Sequence, residues 1–176
     1  MQAMSLESMT TIGTSSATFT LKSTELGGQL TNSQYFNGMG FSGANQSPQL
    51  YWENAPSETK AFAVTMYDID APTGSGLWHW VVFNIPAEVR ELPSGAGDPM
   101  NNQLPEGALQ SNTDLGTPGY VGAAPPAGPA HRYLITVHAL SKTLELDQNA
   151  TPALVGFNLH FATLAKASLV VYGQKH

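Results

Sequence analysis

The chain has 176 residues, 41% of them apolar and only 11% charged, which supports one sizeable core on a surface dominated by uncharged polar groups. The formal charge of −6, with no cluster of Lys or Arg, excludes a large nucleic-acid or anionic-membrane footprint. The absence of cysteine excludes thiol catalysis, disulfide staples and thiolate-bound zinc.

Residues 1–17 are rich in Ser, Thr and Met without a sustained period. They read as a flexible N-terminal arm ahead of a single domain over 18–176. They lack the basic start and apolar run of a secretory signal, and no run in the chain approaches the ~18 apolar residues of a membrane span. A cytoplasmic location is expected, or a periplasmic one if a signal has been removed.

Residues 18–22 alternate apolar and polar and predict a first strand. Loops rich in Gly, Asn and Ser fill 23–48, and 49–52 is a short strand. Three stronger strands follow at 60–67, 78–85 and 132–140, rich in β-branched and aromatic residues and bounded by Pro and Gly. A long connection, 86–130, carries most of the prolines. Loops of that length are functional or hold minor structure of their own. Thr151-Pro152 supplies an N-cap and Pro at N1 for a helix of roughly twelve to fifteen residues. Its apolar positions are Leu154, Phe157, Leu159, Phe161, Leu164 and Ala165. Residues 167–172 predict a last strand. The fold class is mainly β, an antiparallel β-sandwich with a C-terminal helix and long loops.

Strand parity points to a site. Successive strand residues face opposite sides, so Asp68 continues the face of Phe62, Val64 and Met66. His79 has the parity of Val81, Phe83 and Ile85, and His131 and Tyr133 that of Ile135, Val137 and Ala139. Asp68 ends its strand while His79 and His131 begin theirs. Antiparallel neighbours would therefore gather Asp68, His79, His131 and Tyr133 at one rim. Trp78 and Trp80 flank His79 and are expected at the pocket rim or in the core. Asp70 is expected to brace its loop, and Arg132, of opposite parity to Tyr133, to make a structural ion pair. The stretch 120–130 is rich in Gly and Pro, including Gly122, and could bring bare backbone N–H groups to an anion. His138 and His160 are assigned to structure.

The stretches "YDIDAPTGSGLWHWVVFNIPA", "GYVGAAPPAGPAHRYLITVHAL" and "TPALVGFNLHFATLAKASL", in this order, resemble the phosphatidylethanolamine-binding protein family, more narrowly its bacterial, Raf kinase inhibitor-like branch. The resemblance spans about residues 18–172 and implies a β-sandwich with a small anion-binding pocket. It places the family's acidic motif on Asp68 and Asp70 with Ala71-Pro72, and its pocket histidine on His79. Its Gly-Pro-Pro loop falls on Ala124, Pro125 and Pro126, and its His-Arg-Tyr on His131, Arg132 and Tyr133. Two positions depart: Ile69 stands for the usual Pro, and Ala124 for the usual Gly.

Three functions follow from these residues. The first is a non-catalytic module binding a small anion, phosphate or a phosphoethanolamine-like headgroup, with a ligand ammonium neutralising Asp68. The alternative is a metal-dependent hydrolase using Asp68, His79 and His131; no H-E-x-x-H or G-x-S-x-G motif accompanies it. No cofactor is implied. The resemblance also suggests regulation of a kinase or protease target, and a homodimer.

Overall fold

A computed structural model describes residues 17–176; the arm expected over 1–17 lies, but for its last residue, outside them. In chain order the elements are β1 (Thr20–Lys22), β2 (Leu50–Glu53), β3 (Ala61–Asp68), β4 (Leu77–Pro86), β5 (Glu91–Leu92), β6 (Leu109–Gln110), β7 (His131–Leu140), α1 (Pro152–Ala162) and β8 (Thr163–Gly173). Two sheets form: a three-stranded one ordered β1-β2-β5, and a five-stranded one ordered β6-β4-β3-β7-β8, with every strand pair antiparallel. The long connection between β4 and β7 thus holds two short strands, one for each sheet.

The sheets meet over an apolar core. Leu21, Leu50, Trp52 and Leu92 come from the small sheet, and Phe62, Val64, Met66, Tyr133, Ile135 and Val137 from the large one. These are the rows expected from parity in β3 and β7. The outer face of the large sheet is covered at one end by α1, where Val155, Leu159 and Ala162 pack on Ala61, Ala63, Val81, Phe83 and Leu140.

The C-terminal region departs from expectation in two ways. α1 has 11 residues and stops at Ala162, so Leu164 and Ala165 belong to β8, which starts four residues earlier than expected. Thr163 explains the stop: its hydroxyl donates to the Leu159 carbonyl at 2.7 Å, and it then pairs with Leu140 in the sheet. Second, of the six apolar residues assigned to the helix only Leu159 is buried; Leu154, Phe157, Phe161 and Leu164 face solvent.

Candidate functional site

β3 is the central strand, and its last residue, Asp68, lies opposite Leu77 of β4 and Tyr133 of β7. That pairing brings the ends of three strands to one rim. Asp68, His79, His131 and Tyr133 all line the same hollow there, about 120 Å³ in volume. Pro72, Gly122, Ala124, Pro125 and Pro126 complete it, with Phe36, Met39, Ala71, Thr73, Leu77, Leu115 and Val121. It is well below the roughly 300–1,000 Å³ of a pocket for a drug-sized ligand.

His79 reaches the hollow by a route that parity does not describe. Met66 pairs with Trp80 and Tyr67 with Trp78, so His79 is an extra residue in β4, a β-bulge. A bulge re-aims its side chain and leaves its backbone outside the ladder. Val121 takes up both consequences: its N–H donates to the His79 carbonyl at 2.9 Å, and its carbonyl accepts the imidazole Nδ1–H at 2.8 Å. Val81 and Phe83, which share the parity of His79, face α1 instead, and a second irregularity near Asn84 returns Ile85 to the inter-sheet core.

The tryptophans separate to the two faces of the sheet, and neither lines the hollow. Trp80 is buried between the sheets, its indole N–H donating to Gln110 at 3.0 Å. Trp78 lies on the α1 side with its ring 4.4 Å from that of Tyr67. Asp70 and Arg132 also stand outside the hollow. The Asp70 carboxylate accepts the Arg132 backbone N–H at 2.8 Å and two guanidinium N–H groups at 2.9 and 3.0 Å. These bonds hold Asp70 down at about pH 2 for its protonation and brace the 68–73 loop against β7.

Inside the hollow the protonation states follow from partners. The Asp68 carboxylate accepts the Asp70 N–H at 3.0 Å on one oxygen and the His131 Nδ1–H at 2.8 Å on the other. Both carboxylate oxygens of Asp68 thus have a hydrogen-bond donor from the chain itself. With Nδ1 of each imidazole engaged, Nε2 is the ring nitrogen left for a ligand. Burial lowers the pKa of His79 despite the Val121 carbonyl and the Asp68 charge, favouring the neutral ring. A neutral ring with Nδ1–H presents a bare acceptor at Nε2. Tyr133 sits between the two imidazoles, with ring centroids 5.5 Å from His79 and 6.5 Å from His131. Burial, reinforced by the Asp68 charge, raises its pKa, so it is an obligate O–H. That hydroxyl is buried without a hydrogen-bond partner among the described residues.

The Gly-Pro loop contributes shape more than donors. Val121, Gly122 and Ala123 spend their N–H groups on His79, Asn45 and Gln34, and Pro125 and Pro126 have none. Ala124 is the one position in 121–126 whose N–H lacks a partner among the described residues. Gly122 is required by packing: a Cβ there would lie 2.5–2.7 Å from backbone atoms of residues 34–36. Phe36 and Met39, which arrive in that Gly-rich segment, could not be placed from sequence because no periodic pattern surrounds them. Leu115 likewise lies in the long connection, where parity does not operate, whereas Val121 belongs to the Gly- and Pro-rich stretch 120–130.

Among the described residues no three His, Asp or Glu side chains are placed to hold a metal ion. Asp68 and His131 bond each other and His79 bonds a carbonyl, so the set expected for a hydrolase is not arranged as ligands. No helix among the described residues is long and apolar enough to cross a membrane.

Comparison with known proteins agrees with the fold. The family model for phosphatidylethanolamine-binding protein matches residues 20–174. The chain is 54% identical over 144 residues to the UPF0098 protein YbhB of Escherichia coli K12, covering 81% of this chain and 90% of the relative. It is 46% identical over 163 residues to YbcL of the same organism, covering 90% and 89%. The crystal structure of E. coli YbcL, described as a new member of the mammalian PEBP family, superposes with a TM-score of 0.88 at 45% identity, covering 91% of this chain and all of that one. A PEBP homologue from Chlamydia trachomatis gives a TM-score of 0.77 at 25% identity, covering 92% and 100%. The chain belongs to the phosphatidylethanolamine-binding protein family, among the UPF0098 proteins.

Proposed function

We propose that the hollow binds the phosphoryl group of a small anion without acting on it. The observation that carries this reading is the Tyr133 hydroxyl, a buried donor that makes no hydrogen bond among the described residues, set between two imidazoles. Leaving such a donor unmade costs about 1–3 kcal/mol, which an acceptor in the hollow would recover. His131 adds a second donor when its ring is protonated, since its Nδ1–H is held by Asp68. His79 asks for the opposite: its bare Nε2 matches an O–H. Donors and one acceptor together fit a monoprotonated phosphoryl group, as in inorganic phosphate or a phosphomonoester such as phosphoethanolamine. Sulfate, fully deprotonated at neutral pH, has no O–H to give. The apolar walls, among them Phe36, Leu77, Leu115 and Pro125, accept a small organic substituent.

Calorimetry with phosphate, phosphoethanolamine and sulfate tests the reading. Phosphate and phosphoethanolamine are expected to bind more tightly than sulfate. Tyr133→Phe removes only the unpartnered hydroxyl, so the fold should be as stable as the parent or more so. Its phosphate affinity should fall about tenfold or more, the worth of one hydrogen bond to a charged group. Equal affinity in Tyr133→Phe and parent, or no preference for phosphate over sulfate, would overturn the assignment.

A further inference from the structure

Between α1 and the outer face of the large sheet runs a groove of about 580 Å³. Unlike the hollow, it falls within the roughly 300–1,000 Å³ of sites for small organic ligands. None of its residues lines the hollow, so the phosphoryl reading gives it no role. One of them, Gly156, is a residue the fold does not explain. It stands inside α1, where glycine costs about 1 kcal/mol against alanine. No positive φ requires it, and a Cβ there would meet no atom within 4 Å. What the missing side chain leaves is room in the groove.

The side chains around that room specify an occupant. Lys166 and His138 are paired across β7 and β8 and share a face of the sheet. Lys166 is exposed and makes no ion pair among the described residues. Apart from it, the ionisable groups lining the groove are His138 and His160, so on a chain of charge −6 this surface carries no carboxylate. Asp114 accepts the Trp78 backbone N–H at 2.8 Å but does not line the groove. A ligand anion therefore meets an available ammonium and no opposing charge. His138 asks for something different. Burial, with the Lys166 ammonium beside it, lowers its pKa to about 4, so the ring is neutral at neutral pH. Its Nδ1–H is engaged by the Thr163 hydroxyl at 3.1 Å, which leaves Nε2 as an acceptor for an O–H or N–H. Trp78, half-buried on the same side of the sheet, supplies an aromatic surface. We propose that the groove binds a small aromatic carboxylate carrying a neutral O–H or N–H, with its ring on Trp78, its carboxylate at Lys166 and its donor on His138 Nε2.

Titration of the full chain with para-hydroxybenzoate, followed through its amide and indole N–H resonances by NMR, reads the outcome. Shifts are expected at Trp78, His138, Gly156 and Lys166, saturating with a Kd on the order of 1 mM. Benzoate lacks the hydroxyl and para-hydroxybenzyl alcohol lacks the charge; each should bind about fivefold more weakly, the worth of one hydrogen bond. Lys166→Gln should bind the acid and the alcohol equally. Gly156→Leu should fill the groove and abolish binding, while its urea midpoint stays at or above that of the parent because leucine favours a helix. Lys166 is exposed, so its variant keeps the test readable should the leucine chain not fold. Shifts confined to residues of the hollow, or no shifts up to about 10 mM, would overturn the proposal. So would a folded Gly156→Leu chain that binds as the parent does, or a Lys166→Gln chain that keeps the parent's preference for the acid. Phosphate calorimetry on Lys166→Gln separates this proposal from the reading of the hollow, which the variant should leave unaltered.

Discussion

Ile69 stands where the family resemblance implies Pro. Its N–H donates to the Arg132 carbonyl at 3.1 Å, extending the β3–β7 ladder one residue past Asp68. Proline holds such a loop by fixing φ; here a hydrogen bond and the neighbouring Asp70–Arg132 pair hold it. Gly122 is the opposite case, a position with no freedom. Its hypothetical Cβ overlaps backbone at residues 34–36, which cannot rotate away as a side chain would. Gly122→Ala is expected to lower stability by about 1–3 kcal/mol, as overpacking does. Because residue 36 lines the hollow, phosphate affinity should fall with it. Urea melts and calorimetry on the same preparation check both.

Two elements owe their form to local chemistry. In β4 the bulge at His79 is closed by Val121, so the strand and the Gly-Pro loop form one unit, and the imidazole is fixed as an Nδ1–H tautomer. In α1 the Thr151 hydroxyl accepts the Leu154 N–H at 3.2 Å and Pro152 occupies N1, the start that the residues predicted. Thr151→Ala should cost about 1 kcal/mol, seen as a lower urea midpoint with unchanged slope. The two ends of α1 were unequally legible. Thr-Pro is a local signal, readable at its start. Its end was not, because Leu164 and Ala165 continue a plausible helix and only the pairing of Thr163 with Leu140 stops it. Asp68, His131 and Tyr133 were legible as a cluster because β3 and β7 pair residue for residue from Asp68–Tyr133 to Ala61–Leu140. His79 was placed correctly from the wrong rule, since an inserted residue leaves no mark in a period-two pattern.

At the scale of the molecule, the large sheet is covered differently on its two faces, and His138 reports the α1 side. Burial, with the Lys166 ammonium beside it, lowers its pKa to about 4. Its Nδ1 bonds the Thr163 hydroxyl at 3.1 Å; that hydroxyl already donates to Leu159, so the imidazole N–H is the donor. The unfolded chain takes up a proton near pH 6.5 and the fold does so only near 4, so the unfolded state binds more protons in between. The contribution is full above pH 6.5 and is lost as pH falls towards 4. The difference is on the order of 3 kcal/mol. His138→Gln should therefore lose less stability than the parent between these values in thermal melts. Parallel curves would show that His138 carries no such linkage.

The sequence by itself determined the sandwich class, the strong strands, the start of the helix and the four side chains at the rim. Each depends on signals repeated within a few residues: alternation, a cap, a Pro or Gly boundary. Tertiary structure alone decided that the His131 Nδ1–H meets the Asp68 carboxylate, that the Tyr133 hydroxyl has no hydrogen-bond partner among the described residues, and that the tryptophans part to opposite faces. It also decided that α1 buries Val155, Leu159 and Ala162 and turns its two phenylalanines outward. With apolar residues on both sides of a helix, hydrophobicity cannot choose the buried face. Only the shape of the sheet beneath can, because small residues such as Ala162 fit close to its strands where a phenyl ring would not.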